Sequence, residues 1–272
     1  MVEAPKIRII FEIISKVHGT ITNITGTSYL KMGVNLSEYE IRKWWFAGKY
    51  IFVYVKKLNE PSYVIRTHML MFGRITLDLE PPDRKPSIMI MTQDHILRWY
   101  ASQIKLLDPR CSANEITSNY GTCSSREAIL NGLHLRTYDV SHPKFNRELM
   151  MTHVKEKQLE LASNILVDFL LDQSVFPGVG NIVQQEALFA CSLCPYALIS
   201  SLSGQDLICL IDTLVAICQG IYRRFKENQG PTFLNAKIYH KKTCPNGHKT
   251  FTKYLGLRQR RTTWCEVDQC GK

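Results

Sequence analysis

The sequence predicts an α+β protein of two domains, and three observations lead to that fold class. Apolar residues recur at three- and four-residue steps over residues 5–17, which is the period of an amphipathic helix. Short alternating segments rich in β-branched and aromatic residues follow from about Thr20 to Leu107. After residue 146 the patterns are helical, and the chain ends in a basic stretch that carries cysteine and histidine.

The first domain is expected to be a β-sandwich or barrel supported by the N-terminal helix. Pro5 suits the first turn of that helix, and Gly19 follows its end. The segments TITNITGTSY, KYIFVYVKK, SYVIRTHMLMF and RITLDLE are typical of strands, and prolines separate several of them. We place this domain at residues 1–137 and a polar linker at residues 138–146.

The second domain, residues 147–236, is predicted to be helical. HVKEKQLELASNILVDFLL indicates one helix, and IVQQEALF indicates another after a break rich in proline and glycine. Ser203 and Asp206 have the spacing of a capping box that opens a third helix, SGQDLICLIDTLVAICQGIYRRF. Residues 237–272 form a separate basic segment that we predict to be a finger.

Composition excludes several classes of protein. At 272 residues, with 45% hydrophobic and 21% charged residues, the chain can bury a core and is not of the disordered type. Because no apolar run reaches about 18–20 residues and the start lacks a secretory pattern, we expect neither a membrane partner nor secretion. Cysteines that lie inside helical, apolar patterns predict free thiols in a reducing intracellular compartment. They are Cys191, Cys209 and Cys218.

The positive charge is concentrated at one end of the chain. The formal net charge is +10, and Lys237–Lys272 holds nine Lys and Arg against two Asp and Glu, which leaves +7 there. Basic segments are often only solvated faces. A compact basic unit nevertheless favours a polyanion as partner, because affinity for nucleic acid depends on neutralising phosphates.

The basic segment contains two ligand pairs for a metal ion. Cys244 and His248 form one pair, and Cys265 and Cys270 form the other after sixteen intervening residues. Zinc takes four thiolate or imidazole ligands in a tetrahedron, commonly as two close pairs. Because protein fills all four positions, we predict a structural zinc ion, with His240 as an alternative ligand and scattered free thiols as the alternative to a metal. The strand-like stretch between the pairs favours a β-hairpin finger that folds with its metal.

A turn rich in glycine and proline, PGVGN, connects two predicted helices in LLDQSVFPGVGNIVQQEALF. Main-chain amides of such a turn, with a helix N-terminus behind them, can bind phosphate, and Asn181 adds a side-chain donor. Arg258, Arg260 and Arg261 lie on the predicted hairpin, where guanidinium groups can hold phosphates. Taken singly, these features are as typical of a tight connection and an exposed surface as of a binding site.

Together, the turn and the finger resemble the formamidopyrimidine-DNA glycosylase/endonuclease VIII family. The turn is similar to that family's helix–two-turn–helix, and the basic hairpin ending in Arg-x4-Cys is similar to its C-terminal zinc finger. The N-terminal helix, GKYIFVYV and THMLMFG follow in the family's order, so the resemblance extends over the whole chain. With Val2 where most members have proline, the chain looks closest to the subgroup of the third vertebrate endonuclease VIII-like enzyme and a giant-virus relative.

The resemblance implies a reaction at the N-terminal amine. In the family this amine attacks C1′ of a damaged nucleotide, the base leaves, a Schiff base forms and elimination cuts the strand; the matching residue is Val2. An α-amine with a pKa of about 7.7–8.0 is roughly a tenth deprotonated at neutral pH, far more than an ordinary lysine. Glu3 matches the acid that shuttles protons beside the nucleophile. Lys49 matches a strand lysine that contacts phosphate and assists acid–base steps.

The resemblance also implies DNA contacts. Met71 in THMLMFG matches the residue that fills the gap left by the everted base, although a buried core methionine fits the same pattern. Asn181 matches the phosphate-binding asparagine of the turn. Arg260 matches the finger arginine that clamps phosphate at the lesion, with Arg261 as the alternative in a shifted register.

Some positions depart from the family's pattern. Ala4 replaces the usual Gly, and Lys6 replaces a second Glu found in many members. Asp108–Arg110 resembles the start of a second insertion loop, but the aromatic residue expected soon afterwards is missing. With fewer groups to hold the opposite strand, a preference for single-stranded or open DNA follows as a hypothesis.

The sequence thus predicts a zinc-containing bifunctional DNA glycosylase and abasic-site lyase of base excision repair, without a catalytic cofactor and monomeric. Oxidised pyrimidines and hydantoin products of guanine are the substrates that the resemblance implies. The alternative is a catalytically weak or inactive zinc-dependent protein that binds lesions or open DNA. Val2, Glu3 and Lys49 favour the enzyme, and the missing second Glu favours the binding protein.

Overall fold

The computed structural model describes residues 3–79, 85–107, 117–118, 121–122, 135–227 and 235–271. The chain divides into two units, Met1–His134 and Leu135–Lys272. Strands dominate the first unit. Helices and the C-terminal finger belong together to the second.

The first helix, α1, spans Ala4–Ile14. Glu3 is its N-cap residue, and Pro5 occupies the first turn, where its missing amide proton has no helical partner to lose. One face of the helix packs into the core of the first unit. It carries Ile7, Ile10 and Ile14. The helix predicted over residues 5–17 is therefore confirmed, with an earlier end at Ile14.

Seven strands form one antiparallel sheet in the first unit, in the order β1-β3-β4-β5-β7-β6-β2. They are Gly19–Thr20 (β1), Asn23–Thr25 (β2), Glu40–Ala47 (β3), Tyr50–Lys56 (β4), Tyr63–Leu77 (β5), Ile88–Met91 (β6) and Ile96–Leu107 (β7). The two short strands Thr117–Ser118 (β8) and Gly121–Thr122 (β9) pair with each other.

The sequence predicted a sandwich or barrel, and strands β1 to β7 form one continuous sheet, with β1 and β2 at its edges, rather than the two separate sheets of a sandwich. The reason lies in β5 and β7, which are 15 and 12 residues long. Strand β4 pairs with the first part of β5, and β6 pairs with the first part of β7. Because β5 and β7 run antiparallel and pair along most of their length, they join strands that a sandwich would place in two sheets.

Four helices form most of the second unit: Arg147–Glu160 (α2), Leu166–Leu171 (α3), Asn181–Ala190 (α4) and Gly204–Lys226 (α5). The single helix predicted over residues 153–171 is wrong, because Ile165 leaves the helical conformation to pair with Leu198. The segment predicted as a linker packs into this unit, where Val140 is buried.

The longest helix, α5, begins with the predicted capping box. The Ser203 hydroxyl accepts a hydrogen bond from the Asp206 amide, and the Asp206 carboxylate accepts one from the Ser203 amide. By length and composition α5 could also cross a membrane. Its buried face, which includes Leu210 and Leu214, packs into the core of the second unit, as core helices of this composition do.

The C-terminal segment contains the predicted hairpin. Strands Phe251–Leu255 (β10) and Arg260–Trp264 (β11) pair antiparallel, with Tyr254 opposite Arg261. Gly256 begins the turn between them with φ +73°, a left-handed conformation that favours glycine. A short π-helical turn, Glu266–Cys270, follows the hairpin.

Candidate active site and nucleic-acid interface

The predicted catalytic residues begin at the start of α1. Val2 lies outside the described residues. Glu3 is only 6% exposed, and its carbonyl oxygen accepts the amide protons of Lys6 at 3.0 Å and Ile7 at 3.2 Å. The structure therefore holds a buried acid one residue after Val2. A negative charge in this place interacts favourably with the positive end of the α1 dipole.

Lys49 lies in the tight turn between β3 and β4, immediately before the first residue of β4. Gly48 precedes it with φ +56°, which lets the two strands reverse direction with only two residues between them. Lys49 is half-buried, and its charge lowers the pKa of His68 on β5. Lys49 therefore lies at the start of a strand, as predicted.

His68 is a further candidate that the sequence analysis missed. Its ring lies 5.0 Å from the ring of Tyr50, and the guanidinium of Arg66 lies 5.2 Å from the same Tyr50 ring. Burial lowers the pKa of His68 most, and the charges of Lys49 and Arg66 lower it further. Lys49 and Arg66 therefore place two positive charges near His68, whose lowered pKa favours the neutral imidazole. The sequence shows His68 within THMLMFG. Its position opposite Tyr50, however, follows only from the pairing of β4 with β5.

Met71 lies in an irregular part of β5. Pairing with β7 is continuous up to Met69 and resumes at Arg74, so four residues on β5 are passed over. At Gly73 a Cβ atom would lie 2.6 Å from the Cβ of Met69, which explains the glycine. A bulge of this kind re-aims side chains. The Met71 side chain lies outside the described atoms, so its gap-filling role stays a prediction.

In the second unit, Gln173 fixes the PGVGN turn. Its side-chain amide donates to the carbonyls of Leu171 at 3.1 Å and Val179 at 2.9 Å, and its side-chain oxygen accepts the Gly178 amide at 3.0 Å. Gly180 is the N-cap residue of α4 and supplies no side-chain cap. The start of α4 therefore has no side-chain cap at its N-cap position, and a helix N-terminus of this kind can bind a phosphate.

Helix α4 also holds the finger strand β11. Asn181 Nδ2 donates to the Arg261 carbonyl at 3.0 Å. Gln185, only 1% exposed, donates to the same carbonyl at 3.1 Å and accepts the Thr263 amide at 2.9 Å. Arg260 and Arg261 keep exposed side chains on the strand held in this way. The structure thus brings Asn181 into contact with the strand that carries Arg260 and Arg261, and their roles in DNA binding stay predictions.

Two acidic side chains bind other parts of the C-terminal segment. Glu186 accepts three consecutive main-chain amides between 2.8 and 3.0 Å. They belong to Lys237, Ile238 and Tyr239. Asp168 accepts the Leu257 amide with both carboxylate oxygens at 3.0 Å. A Cβ on Gly256 would collide with the Asp168 carboxylate, so the hairpin turn requires glycine there.

A candidate metal centre lies beside the hairpin. The ligand atoms of Cys244, His248, Cys265 and Asp268 lie within 4.8 Å of one another. The Cys244 thiol donates to Asp268 Oδ2 at 3.0 Å, and His248 Nδ1 lies 3.2 Å from Asp268 Oδ1. Burial raises the pKa of the Cys265 thiol to about 11, a cost that a bound cation offsets by stabilising the thiolate. Two thiolates, an imidazole and a carboxylate are a donor set that zinc accepts.

The prediction that Cys270 is a metal ligand is wrong, because Cys270 forms a disulfide with Cys194. Asp268 is the fourth residue of the cluster instead. The sequence signal was the spacing of two residues between Cys265 and Asp268, which is the common spacing of a zinc pair. His240, the alternative ligand, is not part of the cluster.

The expected free thiols are also corrected in part. Cys191 and Cys209 form a disulfide that links the end of α4 to α5. Cys218 is free and buried, as predicted. The disulfides join partners 18 and 76 residues apart, and such connectivity cannot be read from spacing.

Comparison with known proteins decides the family. No family model matches the chain. Endonuclease 8-like L720 of Acanthamoeba polyphaga mimivirus is 46% identical over 278 residues, which cover 99% of this chain and 100% of that protein. The chain belongs to the formamidopyrimidine-DNA glycosylase/endonuclease VIII family. Mouse endonuclease 8-like 3 is 26% identical over 223 residues, 80% of this chain and 32% of that protein.

Solved structures agree with this assignment. A crystal structure of a viral DNA glycosylase has a TM-score of 0.92 and 45% identity, covering 98% of this chain and 100% of that one. The Lactococcus lactis formamidopyrimidine-DNA glycosylase bound to DNA with an abasic site shares the fold, with a TM-score of 0.71 and 18% identity over 98% and 99% of the two chains. The predicted resemblance to the family and to a giant-virus protein is thus confirmed.

Family membership makes this endonuclease VIII relative a DNA-repair glycosylase. In its first unit, Glu3 lies at the start of α1 and the Met71 bulge interrupts β5. Lys49 lies in the turn before β4, and its charge acts on His68. In its second unit, α4 and β11 carry Asn181, Arg260 and Arg261, and the metal cluster contains Cys244, His248 and Cys265.

Proposed function

We propose that this endonuclease VIII-family protein is a bifunctional DNA glycosylase and abasic-site lyase. It removes oxidised bases through a Schiff base on the α-amine of Val2, which requires removal of Met1. The observation that carries the proposal is the Glu3 carboxylate, 6% exposed at the start of α1. A buried carboxylate next to a terminal amine has a clear role in imine chemistry, because it can exchange protons and stabilise a cation.

The reaction proceeds in two stages. The deprotonated amine forms a bond to C1′ while the bond from C1′ to the base breaks, and the base leaves with a proton. Opening of the sugar then gives a protonated imine, which the Glu3 carboxylate stabilises. Loss of a C2′ proton breaks the C3′–O bond, so the strand is cut and the phosphate leaves with the oxygen. An α-amine suits this chemistry because its pKa is near neutral pH.

Two groups of residues bind the DNA strand in this proposal. Lys49, Arg66 and His68 attract phosphate in the first unit, and a phosphate there restores the pKa of His68 that burial and the neighbouring cations lower. In the second unit the N-terminus of α4, Asn181 and the exposed finger arginines bind phosphates. Cys244, His248, Cys265 and Asp268 hold a structural zinc ion that keeps the finger folded.

Reduction of the imine tests the chemistry. Borohydride added during incubation with abasic DNA should give a covalent adduct, and peptide mapping should place it on Val2. A chain extended by one residue before Val2 should still bind DNA and form no adduct. Glu3→Gln should bind DNA and cleave it slowly. An adduct on Lys49 with Val2 unmodified contradicts the proposed nucleophile, and binding with no cleavage supports the catalytically inactive alternative.

Substrate choice needs a panel of damaged bases. We expect excision of oxidised pyrimidines and hydantoin products, and faster excision from single-stranded than from fully paired DNA. The support is the family resemblance and the departure after Asp108–Arg110, which lies outside the described residues. Equal or faster excision from duplex DNA contradicts the strand preference without affecting the Schiff-base mechanism.

A further inference from the structure

Lys6 and Arg74 are cations on two elements of the first unit that pack together, and neither has a counter-ion among the residues that the structure describes. Lys6 lies in the first turn of α1 and is half-buried, and α1 packs against β5. Arg74 lies on β5 and is exposed. Neither side chain forms a hydrogen bond or an ion pair with any residue that the structure describes. By contrast, Arg8 on the same helix pairs with Glu12 at 3.2 Å.

The electrostatics of this pair are unfavourable in the free protein. Burial lowers the pKa of Lys6, and the charge of Arg74 lowers it further. Two like charges in a partly desolvated place are stabilised when an anion lies between them. The two side chains are therefore arranged for a ligand rather than for the stability of the unit.

The placement of the pair indicates which anion it binds. Lys6 lies within one helical turn of Glu3, the acid beside the proposed nucleophile. Arg74 is the first paired residue after the bulge that contains Met71. Each of the two cations thus belongs to one of the two elements that the proposed function places at the damaged nucleotide. In DNA every nucleotide carries one phosphate, so an anion is present at that place in any bound strand.

We propose that Lys6 and Arg74 together bind one phosphate of the DNA strand next to the nucleotide that is excised. The proposal rests on the proposed function and deepens it by naming two positioning residues. It also gives a role to a departure in the sequence, since Lys6 stands where many family members have a second glutamate. An acid at that position repels phosphate, whereas lysine attracts it, so this chain gains a contact to the strand.

The experiment compares Lys6→Gln and Arg74→Gln with Lys16→Gln in the full-length, zinc-loaded protein. Lys16 is an exposed lysine just after the end of α1, and its loss removes the same charge. The probe is a duplex with one stable tetrahydrofuran abasic-site analogue. Each of the first two variants should weaken binding about tenfold at low salt. The control should change binding less than about twofold.

Salt dependence tests whether the two residues share one phosphate. The double variant should lower the slope of log affinity against log salt by about one. The loss of affinity between about 50 and about 200 mM salt then shrinks about fourfold. A decrease of about two would mean two separate phosphates and would overturn the shared site. Lys6→Gln binding that matches Lys16→Gln would also overturn it.

Two further readouts separate this role from others. Without DNA, the melting temperature of Lys6→Gln should stay the same or rise, because the substitution removes a half-buried charge. A marked decrease in the melting temperature would show a structural role for Lys6 and overturn the proposal. Borohydride should still trap the variant on Val2, and an adduct that maps to Lys6 in the unmodified protein overturns the phosphate role. Because binding is measured without chemistry, failure of the Val2 mechanism leaves the affinity and salt results interpretable.

Discussion

Replacing Gln185 with leucine tests how α4 holds the finger. The two side chains are similar in size, and Gln185 is only 1% exposed, so the packing changes little while two hydrogen bonds disappear. The amide of Thr263, a residue 2% exposed, loses the Gln185 side-chain oxygen as its acceptor. The Arg261 carbonyl keeps the Asn181 donor. We therefore expect a loss of about 1–3 kcal/mol in the free energy of unfolding, most of it from the Thr263 amide.

The neighbouring residue supplies a matched control. Gln184 is fully buried, and neither of its side-chain polar atoms has a hydrogen-bond partner among the described residues. Gln184→Leu removes a buried, unsatisfied amide, so the free energy of unfolding should stay the same or increase. Urea unfolding of both variants with zinc present measures the difference. The reasoning is refuted if Gln184→Leu destabilises as much as Gln185→Leu.

The same pair of variants distinguishes stability from function. At a temperature well below the melting temperature of the variant, Gln185→Leu should still weaken binding to abasic-analogue DNA. The reason is that the strand that carries Arg260 and Arg261 is no longer held in a fixed position. Gln184→Leu should bind as the unmodified protein does. Normal DNA affinity in a clearly destabilised Gln185→Leu would show that this contact stabilises the finger without positioning its arginines.

Two more predictions concern the metal and pH. Asp268→Ala should lower zinc affinity about 100-fold, which is about 2.7 kcal/mol of the about 10–16 kcal/mol typical of a structural site. Cys270→Ser should keep one zinc ion per chain in a metal titration. The reverse result would restore Cys270 as a ligand. The pKa of His68 is lower in the fold than in the unfolded chain, so the unfolded state binds more protons and stability decreases as pH falls below about 6.5. Chemical denaturation between about pH 7.5 and pH 5 should show a smaller decrease for His68→Gln, and an unchanged decrease would contradict this role.

Local patterns in the sequence correctly predicted the structural features that depend only on residues close together along the chain. The apolar steps of α1, the capping box at Ser203 and the glycine-rich turn before Asn181 each fix a short segment by itself. The break between α2 and α3 was missed, because it depends on Ile165 pairing with a residue far along the chain. The single sheet was missed for a similar reason, since strand pairing partners are not local.

The candidate site divides in the same way. Cys244, His248 and Cys265 were found because cysteine and histidine at close spacing are uncommon outside metal sites. Asp268 was missed because an aspartate in a basic segment is ordinary until three other ligands surround it. Cys270 has the chemistry of a ligand, and only the position of Cys194 in the fold shows that it has another partner.

The bonds from α4 and α3 to the finger have a consequence for divergence among related proteins. Asp168, Gln185 and Glu186 bind main-chain groups, which every residue except proline presents alike. The outward side chains of the hairpin can therefore change during evolution while its docking is preserved. Natural selection can alter what the finger contacts on a nucleic acid through single substitutions, without a compensating change in the helices that carry it.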